Sequence, residues 1–410
     1  MQLSEKGSVD LDAPVQRYLP WFRVADSAYS AQITVRQLLN QTSGLPPSSP
    51  FDTPVTSVQQ RVRDLATIHL HDAPGVSYAY ANSNFETLGV LVEAASGQAY
   101  GDYMQQHVFA PLAMTHTFAS KADAERGGLA TGHQWWFGLN LPIDTYRADY
   151  VPDGYLASSV ADMSHYLIAQ LQGGVYGGNR LLSQSGVDQM HAGVAKADTG
   201  GTYAMGWVET SLNGVTVVSH DGDSLNTHSD MILVPALGWG VQLIINSDSI
   251  PVLLATPVEA TAKGVISILM GSSAPTTPSP FAIYVALDLV VGALVTFQLW
   301  SLFRASRSTV RPVQGRVSTL RFLILPTAWR LIAATGAIGL IGALALQVGS
   351  SFQLMAGTDF GVSLLLIASL LIANALVRVI RRVGASRLVD EPAEGMTAQA
   401  AARLAALSRS

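Results

Sequence analysis

Residues 77–89, Ser77-Tyr78-Ala79-Tyr80-Ala81-Asn82-Ser83-Asn84-Phe85-Glu86-Thr87-Leu88-Gly89, read as extended backbone running into a helix. Ser83-x-x-Glu86 has the form of a capping box, in which hydroxyl and carboxylate each satisfy a backbone donor left open at a helix start. Phe85, Leu88, Leu91, Val92 and Ala95 then fall on one helical face, and Gly97 is a suitable stop. Tyr80 and Asn82 sit just ahead of that helix, two residues apart, where an extended backbone points both side chains the same way. A phenol and an amide aimed into one space can do chemistry. Alone, the pair reads more simply as a half-buried tyrosine and a turn residue, so its meaning depends on the surrounding chain.

Upstream, Thr34-x-x-Gln37 caps a short helix carrying Val35, Leu38 and Leu39, with Gly44 as its terminator. Val58, Val62, Leu65, Ala66 and Ile68 mark a second helix that stops before Pro74. Downstream, residues 100–108 read as helical, residues 119–152 as a loop rich in Gly and aromatics, and Ser159-x-x-Asp162 as the cap of a helix with Met163, Tyr166, Leu167 and Leu171 inward. From residue 202 the period changes to two. Residues 202–209, 215–219, 229–234 and 240–246 read as four strands, the first two joined by Asn213-Gly214, a strong hairpin signal. A closing helix over 252–270 completes an α+β domain, an antiparallel sheet flanked by helices, over residues 1–270.

Beyond it the composition changes. Up to Pro275 the chain carries 12 Lys and Arg against 24 Asp and Glu; after it, 12 against 5. The acidic part argues against nucleic-acid binding. A Pro- and Ser-containing linker, 271–280, leads to apolar runs at 281–303, 322–348 and 352–377, each long enough to cross a bilayer as a helix. The expected layout is three transmembrane helices within 281–383 and a tail over 384–410. Asp359 and Arg330 belong near an interface, and Asp288 needs a partner or an inward-facing position. Arg304, Arg307, Arg311, Arg316 and Arg321 follow the first run, and Arg378, Arg381, Arg382 and Arg387 follow the third. The positive-inside rule puts these segments and the C-terminus in the cytoplasm, and residues 1–275 outside it, as a multi-pass protein of the cell membrane. An exported domain calls for a leader, and the first residues show no charged segment followed by an apolar run. With no cysteine, disulfides and thiolate chemistry are excluded.

No dinucleotide fingerprint, Walker loop or H-E-x-x-H is present, and His69 and His71, one residue apart, do not suggest metal ligation, so neither cofactor nor metal is expected. His220-Asp221-Gly222-Asp223 stands out, at the end of one strand and entering the turn before the next. A His there can line a cleft while the Gly lets backbone N–H groups approach a ligand.

Together these pieces resemble the penicillin-recognising serine hydrolases, in the branch of class C β-lactamases, D-amino-acid peptidases and related esterases. The resemblance rests on residues 7–15, Tyr18-Leu19-Pro20, residues 33–39, Thr42-Ser43-Gly44-Leu45-Pro46, Tyr80-Ala81-Asn82-Ser83-Asn84 and His220-Asp221-Gly222, in family order, and it covers residues 1–270. It implies a proton-relaying role for Tyr80, contact with the general base and the substrate amide for Asn82, and an edge-strand role for His220, with Gly222 and the Asp223 N–H at the oxyanion. The family nucleophile is the serine of a Ser-x-x-Lys. The residues three before Lys6, Lys121, Lys196 and Lys263 are Leu3, Phe118, Gly193 and Ala260, so these 410 residues contain no such motif. In the family it lies about three helical turns ahead of Met1, so a chain begun at an internal methionine accounts for the missing nucleophile and the missing leader together. His220 stands where β-lactamases carry Lys and holds a substrate carboxylate less firmly. The expected activity is acyl-enzyme hydrolysis of an ester, a D-amino-acid amide or a cell-wall peptide, absent from this chain for want of the serine. The alternative is a non-catalytic, membrane-anchored sensor or scaffold of the same fold.

Overall fold

A computed structural model describes residues 1–47, 56–198, 200–224, 226–249, 257–276, 279–308, 325–347 and 358–390. Residues 252–256 of the expected closing helix, the flanks of the second and third apolar runs and most of the tail lie outside them. The chain forms two compact units, Met1–Val285 with Gln347–Leu354, and Ala286–Leu346 with Met355–Ser410.

In the first unit the helices of seven or more residues are α1 (Val58–Asp64), α2 (Asn82–Ser96), α3 (Val160–Leu171), α4 (Gln184–His191) and α5 (Pro257–Leu269). The strands are β1 (His133–Trp136), β2 (Leu139–Pro142), β3 (Val175–Tyr176), β4 (Asn179–Arg180), β5 (Ala195–Lys196), β6 (Thr202–Tyr203), β7 (Val208–Leu212), β8 (Val215–Asp223), β9 (His228–Val234), β10 (Trp239–Ile245) and β11 (Ser247–Asp248). A six-stranded sheet runs in the order β10-β9-β8-β7-β6-β5 with every neighbour antiparallel, and a small sheet runs β11-β1-β2.

Period-two alternation splits the large sheet into two faces. On one, Val218 and Leu233 pack with Leu167 and Leu171 of α3 and with Trp207. On the other, Val217, Ile232 and Val234 pack with Ala262 and Ile266 of α5. A third cluster holds Leu3, Val15, Leu19, Phe22, Ile33, Leu38 and Leu45 against Val90 and Leu91 of α2.

The capping signals at Thr34 and Ser159 operate as read: Thr34 and Gln37 close a reciprocal box, and Ser159 Oγ accepts from the Asp162 N–H at 3.1 Å. Asn213 (φ 52°) and Gly214 (φ 80°) make the hairpin turn with both residues left-handed, as a two-residue turn matched to strand twist requires. Gly97 (φ 71°) ends α2. Four readings are corrected. Glu86 does not cap, because α2 begins at Asn82 and the Glu86 carboxylate accepts from Arg61 Nε at 2.7 Å. Residues 119–152 contain a helix, Lys121–Arg126, and the β1–β2 hairpin, too short to give a periodic pattern. The expected strand 202–209 is broken by a tight turn at Gly206 (φ 84°), where the Ala204 N–H donates to the Trp207 carbonyl at 2.7 Å. His220-Asp221-Gly222-Asp223 is not a turn entry: β8 runs through it, pairing residues 218–223 with 233–228.

The second unit holds the long helices α6 (Pro280–Arg307), which begins in the first unit, α7 (Leu325–Gln347) and α8 (Asp359–Asp390). Among the described residues two segments are long and apolar enough to cross a membrane, Phe281–Arg307 and Asp359–Val383, against three expected. In α7 the described apolar stretch is Thr327–Ala343, within a helix of 23 residues that reaches about 35 Å. Inside this unit α8 is tied to α6 by polar side chains: Asn374 Nδ2 donates to the Gln298 carbonyl at 2.9 Å and Arg378 to Ser301 Oγ at 3.1 Å. Ala334 and Ala368, both buried, let helix backbones approach. Asp288 is half-buried in a groove with Leu289, Gly292, Thr296, Phe297 and Trp300.

The Arg61–Glu86 pair joins α1 to α2 with side chains only 4% and 6% exposed, and the Arg61 guanidinium also lies 3.7 Å over the Tyr150 ring. Glu86→Ala removes one side of this buried ion pair and is expected to cost about 3–5 kcal/mol in denaturant unfolding. Arg36→Ala, which breaks a solvent-exposed bridge to Asp12, is expected to cost under about 1 kcal/mol. Equal losses would contradict the assignment of Arg61–Glu86 as the structural pair.

Candidate active site

The helix start at residue 82 is fixed by a buried polar network. Gln41, Ser43 and Asn84 are fully buried. Gln41 Oε1 accepts from the Ala81 N–H at 2.9 Å and from Asn84 Nδ2. Ser43 Oγ donates to Asn84 Oδ1 at 2.6 Å and accepts from the Leu45 N–H at 3.2 Å. Alongside, the N–H groups of His71, Gly75 and Ala79 donate to the carbonyls of Gly44, Thr42 and Gln41 at 2.7–2.9 Å. Gly44 has to be glycine: its φ is 83°, and a Cβ would lie 2.2 Å from the Asp72 carbonyl oxygen. The stretch 41–45 thus clamps 71–81 and delivers Tyr80 and Asn82, with Ala81 between them extended (φ −137°, ψ 118°).

Tyr80 meets His220 from β8, with ring centroids 6.2 Å apart. Tyr203 of β6 completes a triangle, 6.2 Å from Tyr80 and 6.1 Å from His220, and its hydroxyl lies 3.5 Å from His220 Nε2. His220 Nδ1 faces the Asp221 carbonyl at 2.6 Å. A hydrogen bond there places the proton on Nδ1 and leaves Nε2 as the acceptor facing Tyr203. Tyr78 also lies against Tyr203, centroids 5.4 Å apart. Asn82, half-buried, is the first residue of α2.

The electrostatics keep the phenols neutral. Tyr80 is 37% exposed, yet burial by its neighbours and the Asp221 charge hold its pKa above the ordinary tyrosine range. Burial does the same to Tyr203, only 1% exposed. A tyrosine in this state donates or accepts a hydrogen bond but is no base by itself; a cation beside it is what brings such a group down.

Alternation along β8 separates the expected residues. His220 and Gly222 pair with Met231 and Ser229 and share the face of Val218, toward α3; Asp221 and Asp223 pair with Asp230 and His228 and share the face of Val217, toward α5. Of Asp223, only the backbone remains available to the side on which His220 lies. Its carboxylate instead contacts His228 Nδ1. Tyr203 and Gln41 were not singled out in the sequence. Tyr203 had a legible signal, an aromatic in a period-two strand; Gln41 had none, since its left-handed φ of 56° follows from the clamp.

Residues 1–259 match the family model for β-lactamase. The chain belongs to the β-lactamase family. Among curated relatives, protein flp of Staphylococcus aureus strain MW2 is 26% identical over 266 residues, covering 62% of this chain and 51% of its own length. Penicillin-binding protein 4 of Amycolatopsis lactamdurans is 28% identical, covering 60% of this chain and 68% of its own. The chain thus spans about half the length of the flp relatives. Among solved structures, the octameric penicillin-binding protein homologue from Pyrococcus abyssi superposes with a TM-score of 0.59 at 23% identity, covering 72% of this chain and 66% of that one. The D-amino acid amidase from Ochrobactrum anthropi SV3 superposes at 0.55 and 23%, covering 66% and 79%. These structural likenesses establish the fold: a β-lactamase-like sheet with helices on both faces.

Proposed function

We propose that the first unit carries one wall of a serine-hydrolase cleft that works through an acyl-enzyme. The observation that supports this most is the meeting of Tyr80 and His220, 140 positions apart, at 6.2 Å beside the start of α2. In this reading Tyr80 relays a proton between nucleophile and leaving group, Asn82 holds the substrate amide, and His220 lines the opposite side with Nε2 turned toward Tyr203. The Gly222 and Asp223 backbone borders the oxyanion. The serine and the lysine that lowers its barrier come from a Ser-x-x-Lys that these 410 residues do not contain, and that lysine also supplies the cation Tyr80 needs.

The substrate is an ester, a D-amino-acid amide or a cell-wall peptide. The amidase and penicillin-binding likenesses support that range, and a histidine at 220 in place of a lysine disfavours substrates held by a free carboxylate. The 410-residue chain alone is expected not to hydrolyse p-nitrophenyl esters above background. The chain extended through a Ser-x-x-Lys is expected to do so, with Tyr80→Phe lowering kcat about 10²–10⁴-fold. Hydrolysis by the 410-residue chain, lost on Tyr80→Phe, contradicts the missing-nucleophile reading. An extended chain that folds and does nothing favours a non-catalytic sensor.

We also propose that the apolar helices anchor the protein with residues 1–275 outside the cytoplasm, on the strength of the arginines that follow α6 and lie in the C-terminal part of α8. The absence of native cysteine makes single introduced cysteines clean reporters. Ser211→Cys should react with an impermeant maleimide on intact cells, and Ser308→Cys only after permeabilisation; the reverse pattern overturns the orientation.

A further inference from the structure

On the face of the sheet opposite His220, three side chains with metal-binding atoms converge. Asp223 ends β8, His228 begins β9, and Asp248 lies in β11, the strand that pairs in parallel with β1. One ligand atom from each lies within 4.8 Å of the others. We propose that Asp223, His228 and Asp248 form a binding site for one first-row divalent transition-metal cation such as zinc, distinct from the hydrolase cleft.

Four observations carry this. Two carboxylates and an imidazole are a donor set suited to a borderline cation, and three protein ligands leave a position for water. Ligands about 2.0–2.2 Å from a tetrahedral zinc ion lie about 3.3–3.6 Å apart, so atoms already within 4.8 Å of one another need to close by no more than about 1.5 Å. His228 and Asp248 are 6% and 2% exposed, and among the described residues no Lys or Arg forms an ion pair with Asp223 or Asp248. A buried carboxylate crowded by a second one calls for positive charge, which one imidazole supplies only in part. Finally, His228 Nε2 is buried with no hydrogen-bond partner while Nδ1 touches Asp223, so hydrogen bonding within the protein leaves this imidazole incompletely satisfied.

The site is also rigid and reachable. All three ligands sit on hydrogen-bonded strands, which hold a coordination geometry better than loops do. Asp223, with 28% of its side chain exposed, opens it to solvent. A cation here ties the β8–β9 hairpin end to β11, and so joins the two sheets. It steadies the strand that carries His220 without touching a substrate.

Titration calorimetry of the full chain in detergent with zinc chloride alone is expected to show one site per chain, weakened at least tenfold in His228→Ala and in Asp248→Asn. The melting temperature of the unaltered chain should rise with zinc and fall back with a chelator. Because either substitution can also damage folding, the unaltered chain gives the deciding result. No binding and no zinc-dependent shift in its melting temperature overturns the proposal, as does binding that keeps its full strength in both variants.

Discussion

Much of the first unit depends on the hydrogen bonds that Gln41, Ser43 and Asn84 make with one another in the dry interior. A buried amide or hydroxyl without partners costs about 1–3 kcal/mol, so the three groups hold one arrangement among many. That arrangement decides where α2 begins, because Gln41 takes the Ala81 N–H that would otherwise be an open donor at the helix start. It thereby sets the direction in which Tyr80 and Asn82 leave the backbone. Gly44 permits the close approach, and Arg61–Glu86 then locks the first turn of α2 to α1.

The large sheet gives the unit a front and a back. Strand β8 passes between α3 and α5, and its alternation sends His220 and Gly222 one way and Asp221 and Asp223 the other. A nine-residue strand therefore contributes to two separate clusters: aromatic rings and an imidazole on one face, and carboxylates and an imidazole on the other. The Asp221 carboxylate influences both, since its charge helps raise Tyr80 on one side and His228 on the other. For His228, burial works against the charged form, and the bond to Asp223 together with the charges of Asp223, Asp248 and Asp221 outweighs it. Asp248, buried beside Asp223, has its carboxyl pushed up to about 7.

Local chemistry that closes within four residues was legible in the sequence. Thr34 with Gln37, Ser159 with Asp162, Asn213-Gly214 and Gly97 all act as their types dictate. Where a distant partner competes, the local reading fails. Glu86 looked like a cap and belongs to Arg61, 25 residues earlier. Asp and Gly disfavour strands, so His220–Asp223 looked like a turn, yet pairing with residues 228–231 carries the ladder through them. The meeting of Tyr80 and His220 was legible only through the order of motifs, because no spacing rule relates residues 140 apart. The Asp223–His228–Asp248 cluster was invisible for the same reason: its ligands come from three strands, with no metal-binding spacing between them.

The central claim is that Tyr80, Asn82 and His220 serve a serine lying outside these 410 residues. Intact-protein mass spectrometry after incubation with a fluorophosphonate tests it most directly. The account predicts no adduct on the 410-residue chain and a single adduct, on the serine of a Ser-x-x-Lys, once the chain is extended through that motif. A stoichiometric adduct on the 410-residue chain, or none on a folded extended chain, would contradict it.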